Sequence, residues 1–466
     1  MTRCAAATPV CPILFNSPNL LTLAEMIKAV RDREISPLEL VDAHLAQIEK
    51  EQPRINAFVA VYAESARERA KRATNALTAS SDLAPLHGIP VTIKDSFDIA
   101  GQPTFCGSRF RMGHIAQNDS TAVIRLHRAG AIILGKTNTP EFLNNYETDN
   151  FLTGRTNHPL DAKRTAGGSS GGEAAAIASY CSPGGMGSDG GGSIRVPAHY
   201  CGIAGLKPTP GRISAAGHFP EIAHPGGLLG VAGPMARTVE DVSILYSVVA
   251  GHDWRDPFSA PVSVSNPTTD IGRVGVWFGF EDIPLDPDIR SAIEGAAEKL
   301  RASGYRVEPF QPKDLERARE LWWFFFERIF APFTRELIRG REQDAHWSST
   351  DLMDEALAQP EPSATDIVSN LIVRDQMRTR MLEQMEEYPI ILGPVCTVTA
   401  PLHHTLRGPE LHGAMAPSST FNLLGMPGLA VPRGRSRTGM PVGVQLIGRP
   451  WEEWSLLRTG MRLERE

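Results

Sequence analysis

The feature of this sequence that most constrains its fold is a concentration of glycine in one short segment. Ten of the 26 residues in the range 167–192 are glycine. Glycine adopts positive φ angles, which other residues resist, and lets a backbone approach its neighbours closely. It contains two serine-bearing loops, residues 167–172 and residues 190–193. The segment therefore predicts a site at which backbone amides come close to a bound or reacting group.

Two glycine patterns resemble nucleotide-binding motifs but stand in the wrong context. Residues 130–137, GAIILGKT, have the letters of a P-loop, which needs a strand before its first glycine and a helix that starts at the Lys-Thr pair. Here a helix predicted over 120–128 comes first, and residues 131–134 are predicted to be a buried strand. Residues 185–190 match GxGxxG but no strand precedes them. We expect neither motif to bind a nucleotide, and a P-loop protein is kept as the alternative from another class of function.

Charge and composition exclude several classes of protein. The 466 residues include 47 basic and 53 acidic side chains, which gives a net charge of −6 with no long run of either sign. Because nucleic-acid binding needs a basic face, we expect no nucleic-acid partner. No apolar run approaches the roughly 18 residues of a membrane span, and residues 1–15 lack the apolar stretch of a secretory signal. We expect a cytoplasmic protein with reduced, buried thiols and no zinc site, because no CxxC pair occurs among Cys4, Cys11, Cys106, Cys181, Cys201 and Cys396.

Local patterns predict an α/β fold with a helical insertion. Thr22 and Ser36 start capping boxes, because each is followed three residues later by glutamate. A helix opened by Asp286 lies between apolar strands predicted at 274–278 and 305–310, which makes a βαβ unit. Glycine nearly vanishes between residues 311 and 388, where helix formers and aromatic clusters predict a helical insertion or subdomain. Its aromatic side chains fit either a hydrophobic core or the wall of an apolar substrate pocket.

The glycine segment also suits a nucleophilic serine. Ser193 directly follows Gly190, Gly191 and Gly192. Amides of such a turn can hold the oxyanion that forms when a serine attacks a carbonyl. The alternative interpretation is a tight glycine turn that Ser193 merely caps.

A nucleophilic serine needs a base, and the histidines offer no triad-like setting. The histidines considered are His199, His218, His224, His403 and His404. Lys94 ends an apolar strand and can act as the base if burial lowers its pKa. Its alternative role is a salt bridge to a nearby carboxylate such as Asp95.

Five segments, in this order and spacing, resemble the amidase signature family. They are GIPVTIKDSFDIAG from Gly88, GAIILGKTN from Gly130, TAGGSSGGEAAA from Thr165, GSDGGGSIRVPA from Gly187 and CGIAGLKPTPGR from Cys201. The resemblance runs from Leu21 to Gly448 and is weakest across the helical insertion. It implies a single amidase domain over residues 1–466, with a large mixed β-sheet flanked by helices on both faces and a helical insertion over 311–388 that shapes the substrate pocket.

The resemblance further implies a Ser–cis-Ser–Lys triad. In this triad Ser193 is the nucleophile, Ser169 is a serine in a cis peptide that carries the proton, and Lys94 is the general base. The implied oxyanion hole consists of Gly190, Gly191, Gly192 and the Ser193 amide, and the supporting residues are Ser170, Asp189 and Arg195. Two positions depart from the family pattern, namely Ser188, where threonine is frequent, and Glu173, where serine is frequent.

The implied function is hydrolysis of a linear carboxylic amide through an acyl-enzyme, which releases ammonia or an amine and uses no metal or cofactor. The implied partner is a small-molecule amide, and a homodimer is frequent in the family. The alternative within the family is the A subunit of glutamyl-tRNA amidotransferase, a glutaminase. That subunit usually carries TGGSIRQ, from which this chain departs at Gly190 and Val196.

Overall fold

One mixed β-sheet with helices on both of its faces organises the chain. The computed structural model describes residues 17–79, 82–222, 226–265 and 272–464, and within these ranges eleven strands form the main sheet and two more form a hairpin. The predictions made for Cys4, Cys11, His224 and the N-terminal segment lie outside the described residues.

The main sheet combines parallel and antiparallel neighbours. The strands are β1 (Phe58–Val61), β2 (Pro90–Lys94), β3 (Ile132–Thr137), β4 (Asn157–His158), β5 (Asp161–Thr165), β6 (Gly184–Asp189), β7 (Ala204–Lys207), β8 (Val231–Ala236), β9 (Arg273–Val276), β10 (Arg306–Pro309), β11 (Ile390–Pro394), β12 (Gly428–Arg435) and β13 (Pro441–Gly448). Their order across the sheet is β1-β3-β2-β6-β8-β7-β12-β13-β11-β9-β10, and β4 pairs with β5 in the hairpin. Strand β2 runs parallel to β3 and β6, and β9 runs parallel to β10 and β11.

The described residues form fourteen α-helices. They are α1 (Leu23–Arg31), α2 (Pro37–Ile55), α3 (Ala63–Ala79), α4 (Thr121–Arg128), α5 (Gly171–Ala178), α6 (Arg195–Cys201), α7 (Val239–Val249), α8 (Pro287–Ala302), α9 (Ala318–Trp323), α10 (Ala331–Ile338), α11 (Trp347–Leu357), α12 (Ala364–Glu387), α13 (Gly408–Leu423) and α14 (Glu453–Glu464). A π-helical turn, Phe324–Arg328, continues α9.

Side-chain alternation along the strands places the sheet between two helical layers. In β3, Ile133 packs into one hydrophobic cluster, whereas Ile132 and Leu134 pack into another. The first cluster includes apolar residues of α1, α4, α7, α8 and α14, and the second includes those of α2, α5, α6, α9 and α13. Because successive strand side chains point to opposite faces, helices cover both faces of the sheet.

Local sequence signals set the predicted helix starts. The side chains of Thr22 and Ser36 each complete a capping box with the glutamate three residues later. The Asp286 side chain caps α8, and the flanking strands β9 and β10 are parallel neighbours in the sheet. The two predicted capping boxes and the predicted βαβ unit are therefore confirmed.

The segment with P-loop lettering is a buried strand that follows α4, as the order of elements predicted. Strand β3 extends to Thr137, three residues beyond the predicted end, so Gly135 and Lys136 lie inside it. Lys136 Nζ is 3.1 Å from Asp95 Oδ1, and both side chains are 1% exposed. The lysine is thus engaged within the fold, and no helix starts at the Lys-Thr pair.

The glycine-poor segment 311–388 contains helices α9 to α12 and no strand. Its aromatic side chains divide between two environments. Trp322, Phe324 and Phe325 are buried in the second hydrophobic cluster. Phe326 and Phe330 line a cavity, so the core and pocket interpretations each hold for part of the segment.

Three further findings concern membrane spans, cysteines and metal sites. In the part of the chain that it describes, no helix combines the length and apolar character needed to cross a membrane. Cys106, Cys181, Cys201 and Cys396 are buried free thiols. Across the same described residues, no group of three or more His, Cys, Asp or Glu side chains is arranged to hold a metal ion.

The substitution Gly135→Ala tests the close approach of β1 to β3. A Cβ at position 135 would lie 2.2 Å from the carbonyl oxygen of Ala60, so the two strands must separate. We expect the free energy of unfolding in urea to fall by roughly 1–3 kcal/mol, as in overpacked cores. The control is Gly295→Ala in α8, where nothing lies within 4 Å of the added Cβ. This control should gain about 0.5–1 kcal/mol from helix propensity. An unchanged urea midpoint for Gly135→Ala would contradict the pairing of β1 with β3.

Candidate active site

One strand end and two loops bring the predicted triad residues to one edge of the sheet. Lys94 is the last residue of β2, and Ser193 lies in the turn that follows β6. These strands are parallel neighbours, so their carboxyl ends lie at the same edge. Ser169 lies in the loop that leads into α5. In open α/β sheets this edge is where ligands bind.

Lys94 is directly joined to Ser169. Lys94 Nζ lies 2.7 Å from Ser169 Oγ and 3.0 Å from Ser188 Oγ, and it also donates to the Ser188 carbonyl at 3.4 Å. The peptide bond between Gly168 and Ser169 is cis. Asp95, the alternative partner considered for Lys94, instead accepts from Lys136. Lys94 therefore does not pair with Asp95, and its ammonium nitrogen lies against a serine hydroxyl instead.

Burial makes Lys94 a candidate base. The Lys94 side chain is fully buried, and this burial lowers its pKa to about 7. The carboxylates of Asp189 and Glu173 oppose the shift, because a nearby negative charge favours the ammonium form. A substantial fraction of Lys94 is consequently neutral near pH 7 and can accept a proton.

Ser193 differs from the two serines whose hydroxyls contact Lys94, because its own hydroxyl is free. The cavity is lined by Ser193, Ser169 and Ser188 among other residues, and Ser193 Oγ has no hydrogen-bond partner among the described residues. Ser170 ties the two serine loops together, since its N–H donates to the Ser193 carbonyl at 3.1 Å and its Oγ donates to the Ser188 carbonyl at 3.2 Å. The nucleophile candidate thus has a free hydroxyl on a fixed backbone.

The amides of the glycine turn differ in their availability. The Gly192 N–H donates to Asp189 Oδ1 at 2.7 Å. Gly192 was predicted to be part of the oxyanion hole, but its amide is therefore not free to bind an oxyanion. The N–H groups of Gly190, Gly191 and Ser193 have no acceptor within the described ranges. These three amides are the donors that the turn leaves free for an oxyanion.

A buried ion pair supports the turn. Arg195 Nε is 3.0 Å from Asp189 Oδ2, and both side chains are fully buried. Burial opposes the charged form of Asp189, but the Arg195 guanidinium outweighs it and holds the pKa of this carboxyl well below its usual range. Arg195 also donates to Gln445 Oε1 at 3.0 Å, and Asn422 Nδ2 donates to Asp189 Oδ1 at 2.9 Å. The supporting roles of Asn422 and Gln445 were missed in the sequence, because each contact spans more than 200 residues.

The cavity above Ser193 has a volume of about 280 Å³ and mainly apolar walls. Its aromatic lining is Phe142, Phe219, Phe326, Phe330 and Phe333. Asn144, His218 and Glu327 add polar groups. The described lining residues include no lysine or arginine.

Two of these polar groups are neutral and incompletely paired. His218 Nδ1 is 2.8 Å from the Pro220 carbonyl oxygen, and Nε2 has no partner among the described residues. Burial lowers the pKa of His218 to about 3, so the ring is uncharged.

Glu327 Oε2 accepts from Asn144 at 3.3 Å, whereas Oε1 has no described partner. Burial raises the pKa of Glu327 to about 8, so this carboxyl is mostly protonated near neutral pH. His218 was examined in the sequence only as a base, and nothing in the sequence pointed to Glu327.

Comparisons with known proteins identify the family of the chain. The model of the Amidase family matches residues 39–457. The A subunit of glutamyl-tRNA(Gln) amidotransferase from Nitratidesulfovibrio vulgaris is 36% identical over 490 residues, covering 96% of each chain. Indoleacetamide hydrolase of Bradyrhizobium diazoefficiens is 34% identical over 445 residues, covering 92% of this chain and 83% of the hydrolase.

The fold of a solved relative is also close. A bacterial aryl acylamidase of the amidase signature family superimposes with a TM-score of 0.86 at 25% identity, covering 96% of each chain. The relatives of this chain thus include both amide hydrolases and a component of an amidotransferase. The chain belongs to the amidase family of amidase signature enzymes, and it is an amidohydrolase.

Proposed function

We propose that this amidohydrolase cleaves a small amide with an apolar, ring-sized group, using Ser193 as nucleophile, Ser169 as proton carrier and Lys94 as general base. One observation carries the proposal: Ser169, which Lys94 contacts at 2.7 Å, lines the same aromatic cavity as a free Ser193 hydroxyl. No other described lysine combines such burial with a hydroxyl partner at the same cavity.

The proposed reaction passes through an acyl-enzyme. Neutral Lys94 accepts the Ser169 proton while Ser169 takes the proton of Ser193, and Ser193 Oγ forms a bond to the amide carbonyl carbon. The developing oxyanion is held by the free amides of Gly190, Gly191 and Ser193. The proton then returns through Ser169 to the leaving nitrogen, the C–N bond breaks, and ammonia or an amine departs. Water attacks the resulting ester along the same proton route, which releases the carboxylic acid and restores Ser193.

The walls of the cavity favour an aryl amide over glutamine. Five phenylalanine rings line the cavity, and the described lining has no cation to pair with an amino-acid carboxylate. Two relatives are named for amides that carry an aromatic group, an indoleacetamide hydrolase and an aryl acylamidase. The amidotransferase alternative rests on 36% identity along nearly the whole chain. We therefore place an aryl amide first and glutamine second.

The wider assignments extend this proposal. We propose a single catalytic domain over residues 1–466 in which the helical segment 311–388 shapes the substrate pocket, a role supported by Phe326, Phe330 and Phe333 in the cavity wall. The cytoplasmic location and the homodimer stay predictions from the sequence.

Removing either end of the proton route should abolish turnover. Ser193→Ala and Lys94→Ala are each expected to lower kcat by on the order of 10³-fold or more on the best substrate of a panel. The panel contains indole-3-acetamide, 2-phenylacetamide, an acyl anilide and glutamine, and is scored by ammonia or amine release. A serine-directed fluorophosphonate should lose fluoride and add the mass of its phosphonyl group to the wild type but not to Ser193→Ala.

Ser179→Ala is the matched control for this panel. It removes a buried hydroxyl that has no partner among the described residues, so activity should stay at the wild-type value. Wild-type turnover in Lys94→Ala would refute the base assignment. Preferential hydrolysis of glutamine would instead favour the amidotransferase alternative.

The pH profile should report the buried lysine. Burial lowers the pKa of Lys94 to about 7, so the neutral base predominates above that pH and is lost below it. We expect kcat/KM to fall about tenfold per pH unit on the acidic side of pH 7. Burial raises the pKa of Glu173 to about 7, and while this carboxyl is ionised it raises the pKa of Lys94, so Glu173→Gln should move the upper part of this limb to lower pH. A limb that moves to higher pH in Glu173→Gln would contradict the assignment.

A further inference from the structure

Each free amide of the glycine turn belongs to a peptide whose carbonyl oxygen is held by another group. In a trans peptide the C=O and N–H bonds point in opposite directions, so holding the oxygen also aims the amide. Asn422 Nδ2 donates to the Asp189 oxygen at 3.1 Å, and the Val196 N–H donates to the Gly192 oxygen at 2.7 Å. These bonds aim the amides of Gly190 and Ser193, respectively.

The remaining free amide, that of Gly191, is aimed by an aromatic side chain. Trp322 Nε1 donates to the Gly190 oxygen at 2.9 Å, and it is the only donor to that oxygen within the described residues. Trp322 is 4% exposed and its ring is stacked on Phe326, with centroids 4.6 Å apart and planes inclined by 15°. A packed indole therefore fixes the peptide between Gly190 and Gly191.

A second aromatic group fixes the next peptide. Tyr146 Oη donates to the Gly191 oxygen at 2.8 Å, while the N–H of the same peptide, on Gly192, donates to Asp189. A Cβ on Gly191 would lie 2.4 Å from Trp322 Cζ2 and 2.5 Å from Tyr146 Oη. Both rings thus rest directly on the glycine backbone, and only glycine fits between them.

We propose that Trp322 is a positioning residue for the oxyanion site, acting through the Gly190 carbonyl to aim the Gly191 amide, with Tyr146 bracing the adjacent peptide. This proposal rests on the proposed function, because it assumes that an oxyanion forms at Ser193. Without the indole N–H the Gly190 oxygen loses its donor, and a glycine peptide rotates with little resistance. The Gly191 amide then no longer points steadily at the oxyanion.

The test compares two pairs of conservative variants. Trp322→Phe removes the indole N–H, and Tyr146→Phe removes the phenolic oxygen. Trp277→Phe and Tyr62→Phe are the controls, since Trp277 Nε1 and Tyr62 Oη are buried without a hydrogen-bond partner among the described residues. Loss of a whole oxyanion donor lowers kcat by about 10²–10³-fold. For Trp322→Phe, which leaves the donor present but misaimed, we expect a fall of roughly 10- to 100-fold in kcat at nearly constant KM.

A second readout needs no knowledge of the natural substrate. The rate of Ser193 labelling by a fluorophosphonate should fall in parallel with kcat in Trp322→Phe, and by less in Tyr146→Phe, because the phosphoryl oxygen occupies the oxyanion site. Melting temperatures of each variant and its control should agree. If Trp322→Phe fails to fold, Tyr146→Phe, which deletes a single oxygen, carries the test with the same two rates.

The outcomes separate this proposal from the proposed function. Kinetics of Trp322→Phe equal to those of Trp277→Phe would overturn the positioning role, as would a loss of kcat matched by a rise in KM or by a lower melting temperature than the control. If the wild type is labelled at Ser193 but hydrolyses no amide, the proposed function fails and the labelling rates still decide the role of Trp322. A wild type that is neither labelled nor active would overturn both.

Discussion

The site depends on one buried ion pair, that of Asp189 with Arg195. The Asp189 carboxylate accepts from the N–H groups of Gly192 and Ile194 as well as from the guanidinium, so the whole turn after β6 is wound around it. Arg195 in turn reaches Gln445 in β13. Removing one member of such a pair leaves an uncompensated buried charge, which typically costs about 3–5 kcal/mol. The turn that presents Ser193 is therefore held by the centre of the sheet and not by the loop alone.

The sequence predicted what local chemistry determines. Capping boxes and the βαβ unit depend on residues a few positions apart. The motif resemblance singled out Lys94, Ser169 and Ser193, and the structure brings Lys94 and Ser169 into contact. The glycine-rich segment was harder, because β6 (Gly184–Asp189) is a strand within it. A Cβ on Gly185 would lie 2.2 Å from the Thr92 oxygen, so glycine there serves strand packing and not a turn. Composition alone cannot distinguish the two uses.

Long-range contacts explain the rest of what the sequence left open. Asn422 approaches the turn that carries Ser193 from a helix 233 residues away, and Trp322 approaches it from a segment 132 residues away. Neither residue lies in a local pattern that carries its role. The aromatic side chains of segment 311–388 could form either core or pocket wall, and they form both. Trp322 is packed in the core, whereas Phe326, four positions later, lines the cavity.

The stacking of Trp322 on Phe326 links the shape of the cavity to the geometry of the glycine turn. One ring lies against the backbone of the glycine turn, and the other lies against whatever occupies the cavity. A Cβ on Gly190 would also lie 2.8 Å from Phe326 Cε2, so both rings contact the same turn. Remodelling Phe326 to change the shape of the cavity would disturb the indole that stacks on it. In this scaffold, engineering of selectivity and of turnover must therefore proceed together.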